Sequence, residues 1–258
     1  MSKEIRLANV YKSFGPDPVL DGIDLTVAPG EFVAVIGPSG CGKSTMFDLA
    51  AGLIRPDSGE ISIGGEPAAA GTHCGYLPQR DLLFPWRTVL ANTSLGLELQ
   101  GVPKRVARDR AHSLFARFGL AGFESARPAQ LSGGMRQRAA LLRTVLPGRE
   151  VLLLDEPFGA LDALTRTDIH TWLQQMWVTY RWTVLLITHD VREAVFLADR
   201  VVVLSRRPAR VTGVVEVALP RPRTVTTLTT PMFAAVERDL LGRIEWSRND
   251  PDPISSTE

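Results

Sequence analysis

Residues 31–53 read EFVAVIGPSGCGKSTMFDLAAGL, an apolar β-branched run, a glycine-rich turn and then a stretch with helical spacing. Within it, Gly37 to Ser44 satisfies Gly-x4-Gly-Lys-Ser/Thr, the pattern of a phosphate-binding loop. Gly37, Gly40 and Gly42 let backbone N–H groups curl around a β-phosphate, with Pro38, Ser39 and Cys41 completing the loop. A helix beginning near Lys43 presents its positive end, Lys43 reaches the β/γ oxygens, and Ser44, with Thr45 behind it, is placed to ligate Mg²⁺. Cys41 sits at that helix N-terminus beside Lys43, which favours a thiolate whose alkylation blocks nucleotide binding and is slowed by ATP. The better reading for function is a small residue tolerated where only the backbone matters.

Outward from this stretch, strands alternate with helices. Short β-branched runs at Glu31–Ile36, Val151–Asp155, Thr183–Ile187 and Val201–Leu204 are separated by helical segments, which predicts an α/β fold with a largely parallel, covered sheet. Ile5–Val10 and Gly22–Val27 alternate across a Gly/Pro-rich connection, FGPDPVLDG, as antiparallel edge strands of an added N-terminal β-lobe. From Trp86 to Leu146 strand signals vanish, and Pro103 opens a stripe of Val106, Ala107, Ala111, Leu114, Phe115 and Phe118 that Gly119 closes, a helix with its core face. The expected division is a P-loop NTPase core with β-lobe over 1–85 and 147–230, an inserted α-helical subdomain over 86–146, and a C-terminal helix and tail over 231–258. Met232 to Trp246 is the amphipathic part, and NDPDPISSTE reads as a disordered tail.

Composition narrows the function classes. With 258 residues, 45% apolar and 22% charged, the chain is long enough for a large core and is neither disordered nor fibrous. Two cysteines are too few for a secreted disulfide scaffold and fit a reducing compartment. A net charge of +1 provides no global field toward nucleic acid or anionic lipid. No run approaches the roughly 18–20 apolar residues of a membrane span, and the opening MSKEIRLANV lacks an apolar signal region. The expectation is a cytosolic protein that meets a membrane only through a partner.

Two further segments carry chemistry. Val151–Pro157, VLLLDEP, is an apolar strand ending in adjacent carboxylates, which serve different tasks only because the strand ends there: Asp155 on the metal side, Glu156 as general base for water. A later strand, TVLLITHD, ends in His189, within reach of a γ-phosphate or of the water-binding carboxylate. Leu131–Arg138, LSGGMRQR, places Ser132 as an N-cap before Gly133 and Gly134, a second helix terminus with bare backbone donors. One monomer hardly needs two such devices for one nucleotide; a dimer in which each subunit offers this turn to the other's ATP does.

Together these residues resemble the nucleotide-binding subunit of ATP-binding cassette (ABC) proteins over nearly the whole chain. The motifs run in that family's order: GPSGCGKST at 37–45, Gln79 in YLPQ, LSGGMRQR at 131–138, VLLLDEP at 151–157, GALD at 159–162, and His189. The resemblance implies the ABC ATPase fold, Phe14 stacked on adenine with Tyr11 as fallback, Gln79 reporting the γ-phosphate and Mg²⁺, and Asp162 crossing a dimer interface. It also implies a homodimer closing on two ATP molecules, hydrolysis at Glu156, and two integral membrane permease subunits served by a solute-binding protein. The subunit would lie at the cytoplasmic face of the cell membrane as a peripheral protein. Leu82, Leu83, Phe84 and Trp86 stand where the family docks its permease, and read either as core of the helical lobe or as a groove for a membrane partner's helix.

The phrases LLFPWRTVLANTSLGLELQG, DEPFGALDALTR and THDVREAVFLADRVVVLSRRPAR look like the nitrate/sulfonate/taurine importer group, which includes importers of thiamine pyrimidine precursors. Arg192 stands where an acid often follows THDV, and LLRTV where ARA is common; neither touches a phosphate ligand. The extra β-domain of some sugar importers is not expected. An exporter ATPase subunit shares every catalytic motif, whereas a soluble ABC protein acting on DNA or ribosomes is opposed by the single cassette, the absence of long heptads and the balanced charge. Arg206, Arg207 and Arg210 read as a lipid-headgroup contact or a solvated turn, and the C-terminal helix as a dimer brace or a sheet cap.

Overall fold

The computed structural model describes residues 2–69 and 73–249; the tail after 249 lies outside them. Its elements are β1 (Ile5–Phe14), β2 (Asp17–Val27), β3 (Phe32–Ile36), α1 (Lys43–Ala50), β4 (Ser58–Ile63), β5 (Glu66–Pro67), β6 (Cys74–Leu77), α2 (Val89–Thr93), α3 (Leu95–Leu99), α4 (Lys104–Phe115), α5 (Gly133–Val145), β7 (Val151–Asp155), α6 (Ala163–Tyr180), β8 (Thr183–Ile187), α7 (Val191–Leu197), β9 (Arg200–Leu204), β10 (Val211–Glu216) and α8 (Pro231–Asn249). Two sheets form, a six-stranded one in the order β10-β9-β3-β8-β7-β6 and a four-stranded one in the order β2-β1-β4-β5. In the first, all neighbours are parallel except β10 on β9.

The period-2 alternation of buried strands explains the layering. Phe32, Ala34 and Ile36 of β3, with Leu152 and Leu154 of β7, face a core completed by α5, α6, α7 and α8. Val33, Val35, Val151 and Leu153 face the other way, onto α1 and the antiparallel lobe through Ile5, Leu7, Val10 and Phe47. Such strands are apolar on both faces because both are covered.

The expected sheet strands are present with boundaries shifted by at most a residue. Between α2 and α5 the described chain contains no strand, and Ala107, Ala111, Phe115 and Phe118 of the expected stripe are buried. Two details differ. The FGPDPVLDG connection is largely strand, with the turn confined to Gly15 and Pro16, where Gly15 takes φ +61°. Of the two strands β1 and β2, only β2 is at an edge, because β4, whose pairing the sequence did not announce, lies on the other side of β1.

Helix α8 caps the sheet: Phe233, Leu240 and Ile244 are buried in the core shared with α7 and β9. Arg192, the departure after THDV, lies 5.8 Å over the Phe233 ring and 3.8 Å from Glu237, tying α7 to α8. Arg210 pairs with Asp21 and Arg207 donates to the Pro18 carbonyl at 2.9 Å, so both fold back onto β2.

Candidate active site

Because β3, β8, β7 and β6 run parallel, the segments that leave their carboxyl ends share one edge of the sheet. Those segments are the phosphate loop after β3, Thr188–His189 after β8, Asp155–Glu156 ending β7, and Gln79 two residues beyond β6.

The phosphate loop enters α1 at Lys43, with Gly42 at φ +121° as its cap. A Cβ at Gly42 would lie 2.9 Å from the side chains of Val19 and Leu20, so glycine is demanded both by backbone angle and by β2 running against the loop. Lys43, 7% exposed, donates from Nζ to the carbonyls of Gly37 and Pro38, both at 2.9 Å. Its ammonium is thereby held within the loop, where a phosphate would be cradled.

The Cys41 expectation is corrected. The side chain is 1% exposed and packed inward, and burial raises its pKa against the opposing pull of Lys43. Desolvation outweighs the neighbouring charge and the helix terminus, so the group is a buried thiol whose backbone alone faces the loop.

The two adjacent acids diverge as the end of the strand requires. Asp155 is buried, accepts from the Ser44 hydroxyl and lies 3.4 Å from the Tyr76 hydroxyl, and desolvation raises its pKa. Glu156 takes φ +42°, a turn out of the strand, and its carboxylate finds different partners from those of Asp155. Its Oε2 accepts from Gln79 Nε2 at 3.2 Å and lies 3.3 Å from His189 Nδ1. Three residues separated by up to more than a hundred positions therefore meet on one carboxylate oxygen.

Asp155 and Ser44 fit a hard divalent cation, as a buried carboxylate and a hydroxyl already hydrogen-bonded to it supply the oxygen donors such an ion takes. Among the described residues no group of three or more His, Cys, Asp or Glu could hold a metal. A cation here would rest on Asp155 and Ser44, with Gln79 as the third expected protein ligand, together with phosphate oxygens.

The remaining site residues are placed by other elements. Phe14 tips the β1–β2 hairpin, 52% exposed with the Lys12 ammonium 5.5 Å over its ring, while Tyr11 turns its hydroxyl toward Gly22. Ser132 caps α5 by accepting from Met135 N, as expected. A Cβ on Gly133 would meet Leu161 at 2.9 Å, and one on Gly134 would meet Thr165 at 2.7 Å, so these glycines also serve close packing within the subunit. Asp162 caps α6, accepting from the N–H groups of Leu164 and Thr165; a hydrogen bond from the Thr165 hydroxyl, together with those N–H groups, lowers its pKa.

The stretch after Gln79 divides: Leu83 is buried, whereas Leu82, Phe84 and Trp86 are exposed, with the two rings 5.1 Å apart. Sequence reasoning missed what holds it. Buried Asn92 accepts from Phe84 N and donates to the carbonyls of Phe84, Arg87 and Thr88. From α5, Arg143 donates to the carbonyls of Asp81 and Leu82, both at 2.6 Å, and Arg136 lies 3.4 Å from Asp81. The helix capped by Ser132 thus grips the loop that carries Gln79. A lone Asn within a helix and arginines within a signature string give no local hint of such long-range bonds.

Comparison with known proteins agrees with this geometry. The ABC transporter family profile matches residues 20–159. The chain is 44% identical over 253 residues to the aliphatic sulfonates import ATP-binding protein SsuB of Ralstonia nicotianae, covering 97% of this chain and 85% of that one. It is 48% identical over 203 residues to the formylaminopyrimidine import ATP-binding protein ThiZ of Halalkalibacterium halodurans, covering 79% of each. Among solved structures, a dimeric post-hydrolysis state of an ATP-binding cassette bound to ADP and Pi superposes with a TM-score of 0.72 at 28% identity, covering 84% of this chain and 100% of the other. The phosphate loop, the Gln79–Glu156–His189 cluster and these likenesses together place the chain in the ABC transporter family, as one of its ATP-hydrolysing subunits.

Proposed function

We propose that two copies of this chain close on two ATP molecules and use their hydrolysis to drive import of a small solute through two integral membrane permease subunits at the cytoplasmic face of the cell membrane. The convergence of Gln79 and His189 on Glu156 carries the catalytic part of this reading. Lys43 and the amides of residues 37–45 would hold the β- and γ-phosphates, and Asp155, Ser44 and Gln79 would hold Mg²⁺, which when bound would neutralise charge developing on the phosphate oxygens. Glu156 accepts the proton of the attacking water as its oxygen bonds to the γ-phosphorus, and the bond to the ADP oxygen breaks. His189 steadies the carboxylate and the γ-phosphate, and Phe14 stacks on adenine. Ser132, Gly133 and Gly134 of one subunit cap the nucleotide of the other, with Asp162 at the interface between them.

The import direction is supported by the likeness to the sulfonate and formylaminopyrimidine importers' ATP-binding proteins. The solute is accordingly of the sulfonate, taurine, nitrate or thiamine-pyrimidine-precursor type, delivered by a solute-binding protein, and nucleic acid has no part. The exposed Leu82, Phe84 and Trp86 receive the permease. Tagged Glu156→Gln, purified from gently solubilised membranes of the source organism, tests this: multi-span subunits and a solute-binding protein are expected alongside it. Recovery with ribosomes or DNA, or of a permease that exports, would overturn the import reading and leave the ATPase intact.

A further inference from the structure

His189 is 61% exposed at its side chain, so little packing fixes its imidazole; its place beside Glu156 has to come from its backbone. Both flanks of that backbone are pinned by one hydroxyl. Thr188, 1% exposed, accepts at Oγ1 from the N–H of Asp190 at 3.0 Å and donates to Oε2 of Glu193. Glu193, 5% exposed on α7, accepts at its other oxygen from Nε2 of His170 at 2.9 Å. A carboxylate can only accept, so both hydrogens belong to the partners. His170, 7% exposed on α6, has its ring edge-on to Phe158 at 5.2 Å, and Phe158 stands two residues after Glu156. One turn earlier on the same helix, Arg166 lies 3.4 Å from Asp190 and donates to the carbonyl of Leu161.

We infer that His170, Glu193 and Thr188 form a buried anchor that sets His189 against Glu156, with His170 as the point where both segments are held. The residues touch no phosphate, and their role is positioning. An ion pair or hydrogen-bond chain buried this deeply stabilises a fold no better than apolar packing would; what it provides here is a directional link, from α6 through α7 to the turn that carries His189. The inference rests on the proposed role of His189 in hydrolysis.

A double-mutant cycle on the full-length chain tests it, with phosphate release giving kcat and KM for ATP and thermal melting reporting the fold. His189→Ala alone is the check on the underlying reading, and should slow hydrolysis at least tenfold. Thr188→Val removes the hydroxyl at nearly constant volume and is expected to lower kcat about tenfold with KM within about twofold, while Thr188→Ser retains the parent's kcat. In the His189→Ala background, Thr188→Val should cost nothing further. Glu193→Gln serves where the valine variant melts too low to assay, with the same pattern expected. Parent-like kcat in Thr188→Val and Glu193→Gln, or an equal loss with and without His189, overturns the anchor. Parent-like hydrolysis by His189→Ala overturns the role of His189 itself, and the anchor's purpose with it.

Discussion

Asp155 shows how a position proposed to hold a metal works against stability. Burial raises its pKa, so the folded chain holds that proton more tightly than the unfolded one. The contribution to stability is present below the ordinary carboxylate pKa of about 3.9 and is lost as pH rises through the raised value. At neutral pH the ionised group is a net cost, so Asp155→Asn should melt higher than the parent without nucleotide at pH 7. That advantage should disappear in acid, and hydrolysis should collapse throughout. Melting curves across pH with a parallel phosphate assay check both arms. Cys41 yields the opposite lesson about reactivity: as a buried thiol with a raised pKa, it should carboxymethylate far more slowly in the native chain at pH 7.5 than in urea, as read by mass spectrometry of its peptide.

Among elements, the contacts that matter join segments distant in sequence. Asn92 satisfies backbone groups of the turn over residues 84–88, and Asn92→Ala would take away the side-chain partner of the Phe84 N–H and the Arg87 carbonyl, while the Phe84 and Thr88 carbonyls keep the N–H groups of Arg87 and Asn92. A loss of about 2 kcal/mol in urea unfolding is expected, together with a shift in the emission of exposed Trp86. The contact of α5 with α6 is set by absent side chains. Gly134→Ala puts a Cβ 2.7 Å from Thr165 Cγ2 and should cost about 1–3 kcal/mol. Thr165→Ser removes the offending methyl and should restore most of it, which separates a steric cause from loss of helix capping.

At the scale of the whole molecule, elements far from the reaction are tied to it through α7, which begins next to His189. Its far end is held by buried Arg223, whose guanidinium donates to the carbonyls of Val195, Phe196 and Ala198 as well as Val217 and Leu219. Burial pulls the Arg223 pKa down to about 10, still well above neutrality, so the charge remains and meets the negative end of the helix. The proposed closure of two copies makes a prediction at this scale too. Glu156→Gln should bind ATP without turning it over and elute as a dimer, whereas Lys43→Ala added to it should leave a monomer. Size-exclusion chromatography with light scattering reads the difference.

Much of this was legible in the sequence because the determinants are local. A phosphate loop is its own geometry of glycines before a helix, β7 and β8 are uninterrupted apolar runs with the boundaries expected of them, and Ser132 caps α5 through a bond spanning three residues. The strands β4, β6 and β10 escaped: one is polar at its start, one has only four residues, and one follows an arginine-rich turn, so none has enough periodicity to stand out. Only the tertiary structure decided that Cys41 is buried, that Leu83 is core while Trp86 is exposed, and that Gln79 and His189 share one oxygen of Glu156. It likewise revealed Asn92, Arg143 and the Thr188–Glu193–His170 chain. The reason is physical: desolvation and hydrogen bonding at these positions depend on which groups the parallel sheet brings to its carboxyl edge, and that depends on strand order, which no single stretch of sequence contains.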